Sequence, residues 1–243
     1  MSTTDATSAL VPVTLDTLSG RELRDLIDPV IVHADPTPEQ NADLPELTLV
    51  SVEVYGGMLY LAATDRYTLG VTRHQIPDDQ PRARGAIAVP AAALRKALRS
   101  IAARDLIRLS VDRDGLSLTH ADTTALTHRV PASPMTFPLN WRRHLGAWMR
   151  TPRADAAPTG LNPAYLARFT HAARGGLPLE LRTIGTPSRP QVLITCGTHF
   201  LGAVSPIRLS VLDDNGTRCD DPLTPWLAVC PPAALTAPRK AAA

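Results

Sequence analysis

Seven histidines, three cysteines and adjacent aspartates such as Asp213-Asp214 are groups of this sequence that could hold a metal or shuttle protons, and their spacing serves neither purpose. His33, His74, His120, His128, His144, His171 and His199 include no pair at i, i+4 on one helix, the geometry that places two imidazoles on one ion. Cys196, Cys219 and Cys230 are odd in number and lack a CxxC spacing, so they read as reduced thiols rather than a disulfide framework or a zinc site. Asp213-Asp214-Asn215-Gly216 reads as a turn, with cation binding the alternative. His128 beside Arg129 reads as a surface position on a strand. The sequence also lacks Gly-x-Gly-x-x-Gly, a Walker loop, His-Glu-x-x-His and Gly-x-Ser-x-Gly. These patterns point to a binding protein rather than an enzyme, with no cofactor and no metal.

Binding surfaces are easier to find. On a helical wheel Leu94, Ala97, Leu98 and Ile101 form one arc, while Arg95, Lys96 and Arg99 form another with no acid among them. A later stretch repeats the pattern, with Tyr165, Leu166, Phe169, Ala172 and Ala173 on the apolar arc and Arg168, His171 and Arg174 opposite. An earlier one differs, because Glu22, Asp25 and Asp28 offset Arg21 and Arg24. Basic helix faces suit sequence-independent contact with phosphates, and ordinary solvated surface is the alternative. The whole chain carries only +2, which excludes a histone-like polycation. Lys96 and Lys240 are the only lysines among its 25 basic residues, a bias that codon usage explains as readily as phosphate binding. At 243 residues and 44% hydrophobic, the chain can bury one or two ordinary cores; ten aromatics leave few stacking platforms for single strands. No apolar run reaches the roughly 20 residues needed to span a bilayer, and the N-terminus lacks a signal-peptide pattern, so a cytoplasmic protein without membrane contact is expected.

The elements that must carry these faces recur. Residues 11–76 read as a strand (11–17), a helix (21–30) and three strands (47–55, 58–63, 67–76). Ser19 and Glu22 form a capping box, and Gly56-Gly57 makes a hairpin turn. The same order returns as a strand at 85–89, a helix at 91–103 and strands at 106–111, 116–120 and 125–130, with Asp114-Gly115 as the hairpin signal. After a proline-rich linker comes a third helix, opened by Asn162-Pro163, and strands at 177–183, 191–196 and 200–209. Leu23, Leu94 and Tyr165 sit early in the three helices at intervals of 71 residues. The sequence therefore reads as an α+β fold of three strand-helix-three-strand units with antiparallel sheets and the helices on one face.

Ala63-Thr64-Asp65-Arg66-Tyr67-Thr68-Leu69-Gly70, with Leu59-Tyr60-Leu61 before it, resembles a segment in the middle domain of the bacterial sliding clamp, the β subunit of DNA polymerase III. Further resemblances follow in the clamp's order: Ala88-Val89-Pro90-Ala91-Ala92-Ala93-Leu94, Phe137-Pro138 with Trp141-Arg142-Arg143, Leu161-Asn162-Pro163-Ala164-Tyr165-Leu166, and Val204-Ser205-Pro206-Ile207-Arg208-Leu209. The likeness covers roughly residues 11–209. It implies a clamp-type (processivity) fold, whose family members encircle duplex DNA and tether polymerases and repair proteins through short linear peptides. Carried over, the peptide pocket comprises Thr64, Arg66, Tyr67 and Leu69 on one side and Val204, Ser205, Pro206, Ile207 and Arg208 on the other, while Arg95, Lys96, Arg99, Arg168 and Arg174 face duplex DNA without reading its sequence.

The departures from the family set the domain expectation. Residues 1–10 read as a disordered N-terminus, 11–140 as one complete domain of two units, 141–158 as a linker, 159–209 as a half-domain and 210–243 as a tail. Clamp chains have six units, so this chain matches the middle domain and the second half of the last, which leaves ring closure and homo-oligomerisation open. Arg66 stands where glycine is common, and Ser205 and Ile207 stand where the family has methionine. In the tail, Trp226-Leu227-Ala228-Val229-Cys230 is expected as an edge-covering strand. Two alternatives remain: an adaptor or decoy that regulates a clamp without forming a ring, and a DNA-binding regulator without a peptide pocket.

Overall fold

The computed structural model describes residues 12–35, 42–78, 80, 84–122, 126–150, 160–174, 176–186 and 189–207. The expected disordered segment at 1–10, Arg208, the Asp213–Gly216 turn, Cys219, Cys230 and the tail strand at 226–230 lie outside these residues.

The first unit contains β1 (Val13–Ser19), α1 (Gly20–Ile31), β2 (Leu49–Tyr55), β3 (Met58–Thr64) and β4 (Thr68–Gln75). The second contains β5 (Gly85–Pro90), α2 (Ala91–Arg99), β6 (Leu106–Asp112), β7 (Gly115–His120) and β8 (Leu126–Pro131). Their leading strands are exchanged. β1 pairs with β6 in a sheet ordered β1-β6-β7-β8, and β5 pairs with β2 at one end of a second, longer sheet. Between the sheets Leu23, Ile27, Leu94, Leu59, Leu109 and their neighbours form one core. Neither unit could bury its sheet face alone, which is the reason they interlock.

Local signals set the helices. The Ser19–Glu22 capping box forms, with Glu22 N donating to Ser19 Oγ at 3.1 Å and Ser19 N donating to Glu22 Oε2 at 2.8 Å. The Ser19 backbone N–H, and then the Ser19 hydroxyl donating to the same carboxylate oxygen at 2.7 Å, hold the Glu22 carboxyl below its ordinary pKa. α1 passes through Pro29, which removes one intrahelical bond, and ends two residues later at Ile31. Arg24 and Arg95, 71 residues apart, cap each other's helices: Arg24 Nη2 donates to Leu98 O and Ile101 O at 2.7 and 2.6 Å, and Arg95 Nη2 donates to Ile31 O at 2.6 Å. Each guanidinium thus meets the negative end of the other helix, a class of bond that contributes about 1.5–3 kcal/mol.

The third unit contains α4 (Pro163–Arg168), a 3₁₀ turn (Phe169–Ala172), β9 (Glu180–Thr186), β10 (Arg189–Cys196) and β11 (Phe200–Val204). Its helix is shorter than expected, and the tighter 3₁₀ turn rotates the following residues, which leaves Ala173 exposed while Ala172 is buried. β9 starts at Glu180 rather than 177, after Gly176 at φ +77° and Pro178. This unit joins the first through its last strand: β11 pairs with β4, giving the order β5-β2-β3-β4-β11-β10-β9.

Gly70 and Gly202 oppose each other in that seam. Both must be glycine. A Cβ on Gly70 would lie 2.2 Å from His33 Cδ2, and one on Gly202 would lie 2.5 Å from Phe169 Cε1 and 2.8 Å from Leu69 O. The bare backbone lets the His33 and Phe169 rings, 4.7 Å apart and tilted 51° to each other, approach the sheet closely.

Residues 141–150, expected within the linker, instead form the helix α3 (Trp141–Arg150). Trp141, Leu145 and Trp148 recur at helical spacing, and Trp141 and Leu145 are buried against Ala62, Leu69, Val71, Leu193 and Ala203. The repeat's own helices lie on the sheet face that carries Leu59, Leu61 and Ala63; α3 covers the opposite face, across the β4–β11 seam. Arg142 anchors it: Nε donates to Glu53 Oε1 at 2.7 Å, and the guanidinium lies 4.2–4.5 Å from the rings of Tyr55, Tyr60 and Trp141.

Candidate functional site

Where the seam reaches the β3–β4 turn, the chain is held by a dense set of bonds. Asp65 Oδ1 accepts from Tyr67 N, Thr68 N and Thr68 Oγ1 at 2.8–3.1 Å, and Thr64 Oγ1 donates to Thr68 O at 2.7 Å while accepting from Arg66 N at 3.1 Å. This closes so tight a turn that Arg66 takes φ +79°, a left-handed conformation uncommon for a residue with a side chain. The third unit then fixes the turn in space. Arg168 Nη1 donates to Asp65 Oδ2 at 2.5 Å and to Thr68 Oγ1 at 3.0 Å, Tyr67 stacks on Tyr165 with centroids 5.5 Å apart, and Ser205 N donates to Tyr67 O at 2.8 Å.

These contacts surround a cavity of about 330 Å³. Thr64, Arg66, Tyr67, Thr68 and Leu69 line one side, Ala203, Val204 and Ser205 another, and Gln191 and Leu47 add to the wall. Six of the nine residues expected for a pocket therefore face a single cavity: Thr64, Arg66, Tyr67, Leu69, Val204 and Ser205. Pro206 and Ile207 follow directly but do not line it, and Ile207 is half exposed. The wall that residue patterns missed comes from α3 and the turn before it, where Pro138, Leu139, His144 and Trp148 face the cavity. The Trp141/Leu145/Trp148 spacing was the signal available for it.

Mixed apolar and polar lining, with an exposed Tyr67 at the rim, suits an inserted aliphatic or aromatic side chain whose backbone meets polar edges. Among the described residues, acid–base groups form no comparable arrangement around this cavity. Ser100 Oγ and His128 Nε2 approach to 2.5 Å outside this cavity, and Ser100 Oγ donates to Ala97 O at 3.0 Å as a helix-end cap. Among the described residues no group of His, Cys, Asp and Glu is arranged to hold a metal. Cys196 is a buried free thiol.

The five basic residues assigned to a phosphate-facing surface occupy different settings. Lys96 and Arg99 are exposed on α2. Arg95 is half-buried and bonded to the end of α1; burial lowers its pKa, helped by the charges of Arg168 and Arg99. Arg168 is held by Asp65, with side-chain exposures of 20% and 7% in the pair. Arg174 is half-buried, and burial lowers its pKa against the opposing charge of Asp25.

The sequence matches no protein-family model and no curated protein. Among solved structures the fold matches bacterial sliding clamps. The DNA polymerase sliding clamp from Pseudomonas aeruginosa aligns at TM-score 0.52 and 16% identity over 81% of this chain. The DNA polymerase III β subunit from Thermotoga maritima aligns at TM-score 0.55 and 14% identity over 86% of this chain and 68% of its own. The chain spans 64% of the length of the Pseudomonas aeruginosa clamp. At this identity the likeness establishes the fold: an α+β architecture of antiparallel sheets and helices with the sliding-clamp arrangement. Among the described residues no helix is long and apolar enough to cross a membrane.

Proposed function

We propose that this chain is a clamp-type docking protein whose seam cavity receives a short linear peptide from a DNA polymerase or repair protein. The observation that carries the reading is the convergence of two remote stretches, Thr64–Leu69 and Val204–Ser205, on one cavity that an unbroken sheet holds in register. An aliphatic or aromatic side chain buried there would concentrate most of the affinity in one anchor. A fluorescent peptide of the Gln-Leu-x-Leu-Phe type should bind with micromolar affinity, and Leu69→Asp should weaken it at least about tenfold by placing a charge in the apolar wall. If anisotropy titration gives Leu69→Asp the wild-type affinity, the cavity is not the docking site.

Duplex DNA is the second reading, favoured by exposed Lys96 and Arg99 on a helix without acids. Charge reversal at both positions should weaken binding to a duplex and flatten its salt dependence, with peptide affinity unchanged. A salt slope equal to wild type would remove α2 from the contact. Ring and adaptor differ in assembly: a ring needs a stable multimer by native mass, whereas an adaptor can work as a single chain.

A further inference from the structure

The charge around the cavity narrows what its occupant can be. No lining residue is acidic, while Arg66 and His144 both line it. Just two acids are adjacent in sequence to a lining residue, Glu46 and Asp65, and Asp65 is buried and held by Arg168. The α3 wall carries Arg142, Arg143, His144 and Arg150 with no acid at all. Glu53 neutralises Arg142; His144 lines the cavity and is exposed, and Arg143 and Arg150 are exposed on the outer face of the same helix. An apolar slot with one-sided charge on its rim attracts a segment that combines a hydrophobic anchor with carboxylates, because rim charges act on encounter rate and partner choice more than on buried contact.

We propose that the occupant is an acidic linear peptide, in which a leucine or aromatic anchor fills the cavity and flanking Asp or Glu residues pair with Arg66 and the exposed basic face of α3. This rests on the docking reading above and adds the chemistry of the flank. Arg66 is well placed for it: its left-handed backbone, fixed by the Thr64 and Asp65 bonds, sets an exposed guanidinium at the mouth rather than within the sheet.

Three peptides that share the anchor Gln-Leu-Ala-Leu-Phe and differ only in flanks of Asp, Ser or Lys separate the possibilities. In anisotropy titrations with the full chain at about 50 mM salt, the Asp-flanked peptide should bind about tenfold tighter than the Ser-flanked one, and the Lys-flanked peptide should bind weakest. At about 0.5 M salt the three should converge, as expected for solvent-exposed charge pairs. The Arg66→Gln/Arg143→Gln double variant should reduce the Asp-to-Ser ratio to about twofold or less. Equal affinities for the Asp and Ser peptides, or a preference for Lys, overturn the proposal while leaving the docking reading intact. Failure of all three to bind, or binding that Leu69→Asp does not weaken, overturns the docking reading and this proposal with it.

Discussion

Gly70→Ala should lower the unfolding free energy by about 2–3 kcal/mol, because the new methyl has nowhere to go. Its Cβ would sit 2.2 Å from His33 Cδ2 and 2.7 Å from His33 Nε2, and that ring is fully buried against Phe169. Truncation of the ring in the same background should recover part of the loss. A double-mutant cycle of Gly70→Ala with His33→Ala should therefore show a coupling of at least about 1 kcal/mol in urea denaturation. Gly202→Ala is the internal control. Its Cβ meets the Leu69 carbonyl oxygen at 2.8 Å as well as Phe169 Cε1 at 2.5 Å, so the same histidine truncation should not rescue it. Because Leu69 and Ala203 are cross-strand partners beside this glycine pair and both line the cavity, peptide affinity should fall with stability. An unfolding free energy for Gly70→Ala within about 0.5 kcal/mol of wild type would show that the seam is looser than its packing implies.

That glycine pair illustrates what residue patterns could and could not reveal. Period and capping placed α1, the hairpin turns and the repeat, since each signal is local: Ser19 with Glu22, and Gly56 and Gly57 at φ +60° and +75°. Strand alternation fixed which residues point inward but not which strand is the neighbour, so the exchange of β1 and β5 between units had no local signature. The same limit applies to charge. Arg24, Arg95 and Arg168 look like solvent-facing residues on a wheel, yet the fold turns the first two into reciprocal helix caps and the third into the partner of Asp65. α3 was concealed differently, because three arginines, His144 and Gly146 interrupt its apolar stripe and prolines precede it. Only the sheet's outer face makes Trp141 and Leu145 a buried pair. The half of the cavity built from the turn and β11 was legible because both stretches follow a recognisable pattern, whereas the α3 half depends on where that helix lands.

Acid should destabilise this protein through His33. Both ring nitrogens are buried without a protein partner, and burial, followed by the nearby charges of Arg168 and His171, pushes the pKa down to about 3 from an ordinary 6.5. In the unfolded chain the imidazole takes up a proton as pH falls through 6.5, while the folded state resists until about 3. Across that window the unfolded state binds more protons, so stability rises with pH and is lost as pH falls. The slope approaches about 1.4 kcal/mol per pH unit, and a half-window acidification to pH 5 removes about 2 kcal/mol. His33→Phe keeps a ring against Phe169 and Phe200 and has no proton to bind, so its unfolding free energy should be nearly flat from this source over the same range. The comparison to make is the wild-type minus His33→Phe difference between pH 7 and pH 5 by urea denaturation, which cancels the other titrating groups. A difference below about 0.5 kcal/mol would mean that the ring finds water or a proton acceptor, and that the seam admits solvent where the packing shows none.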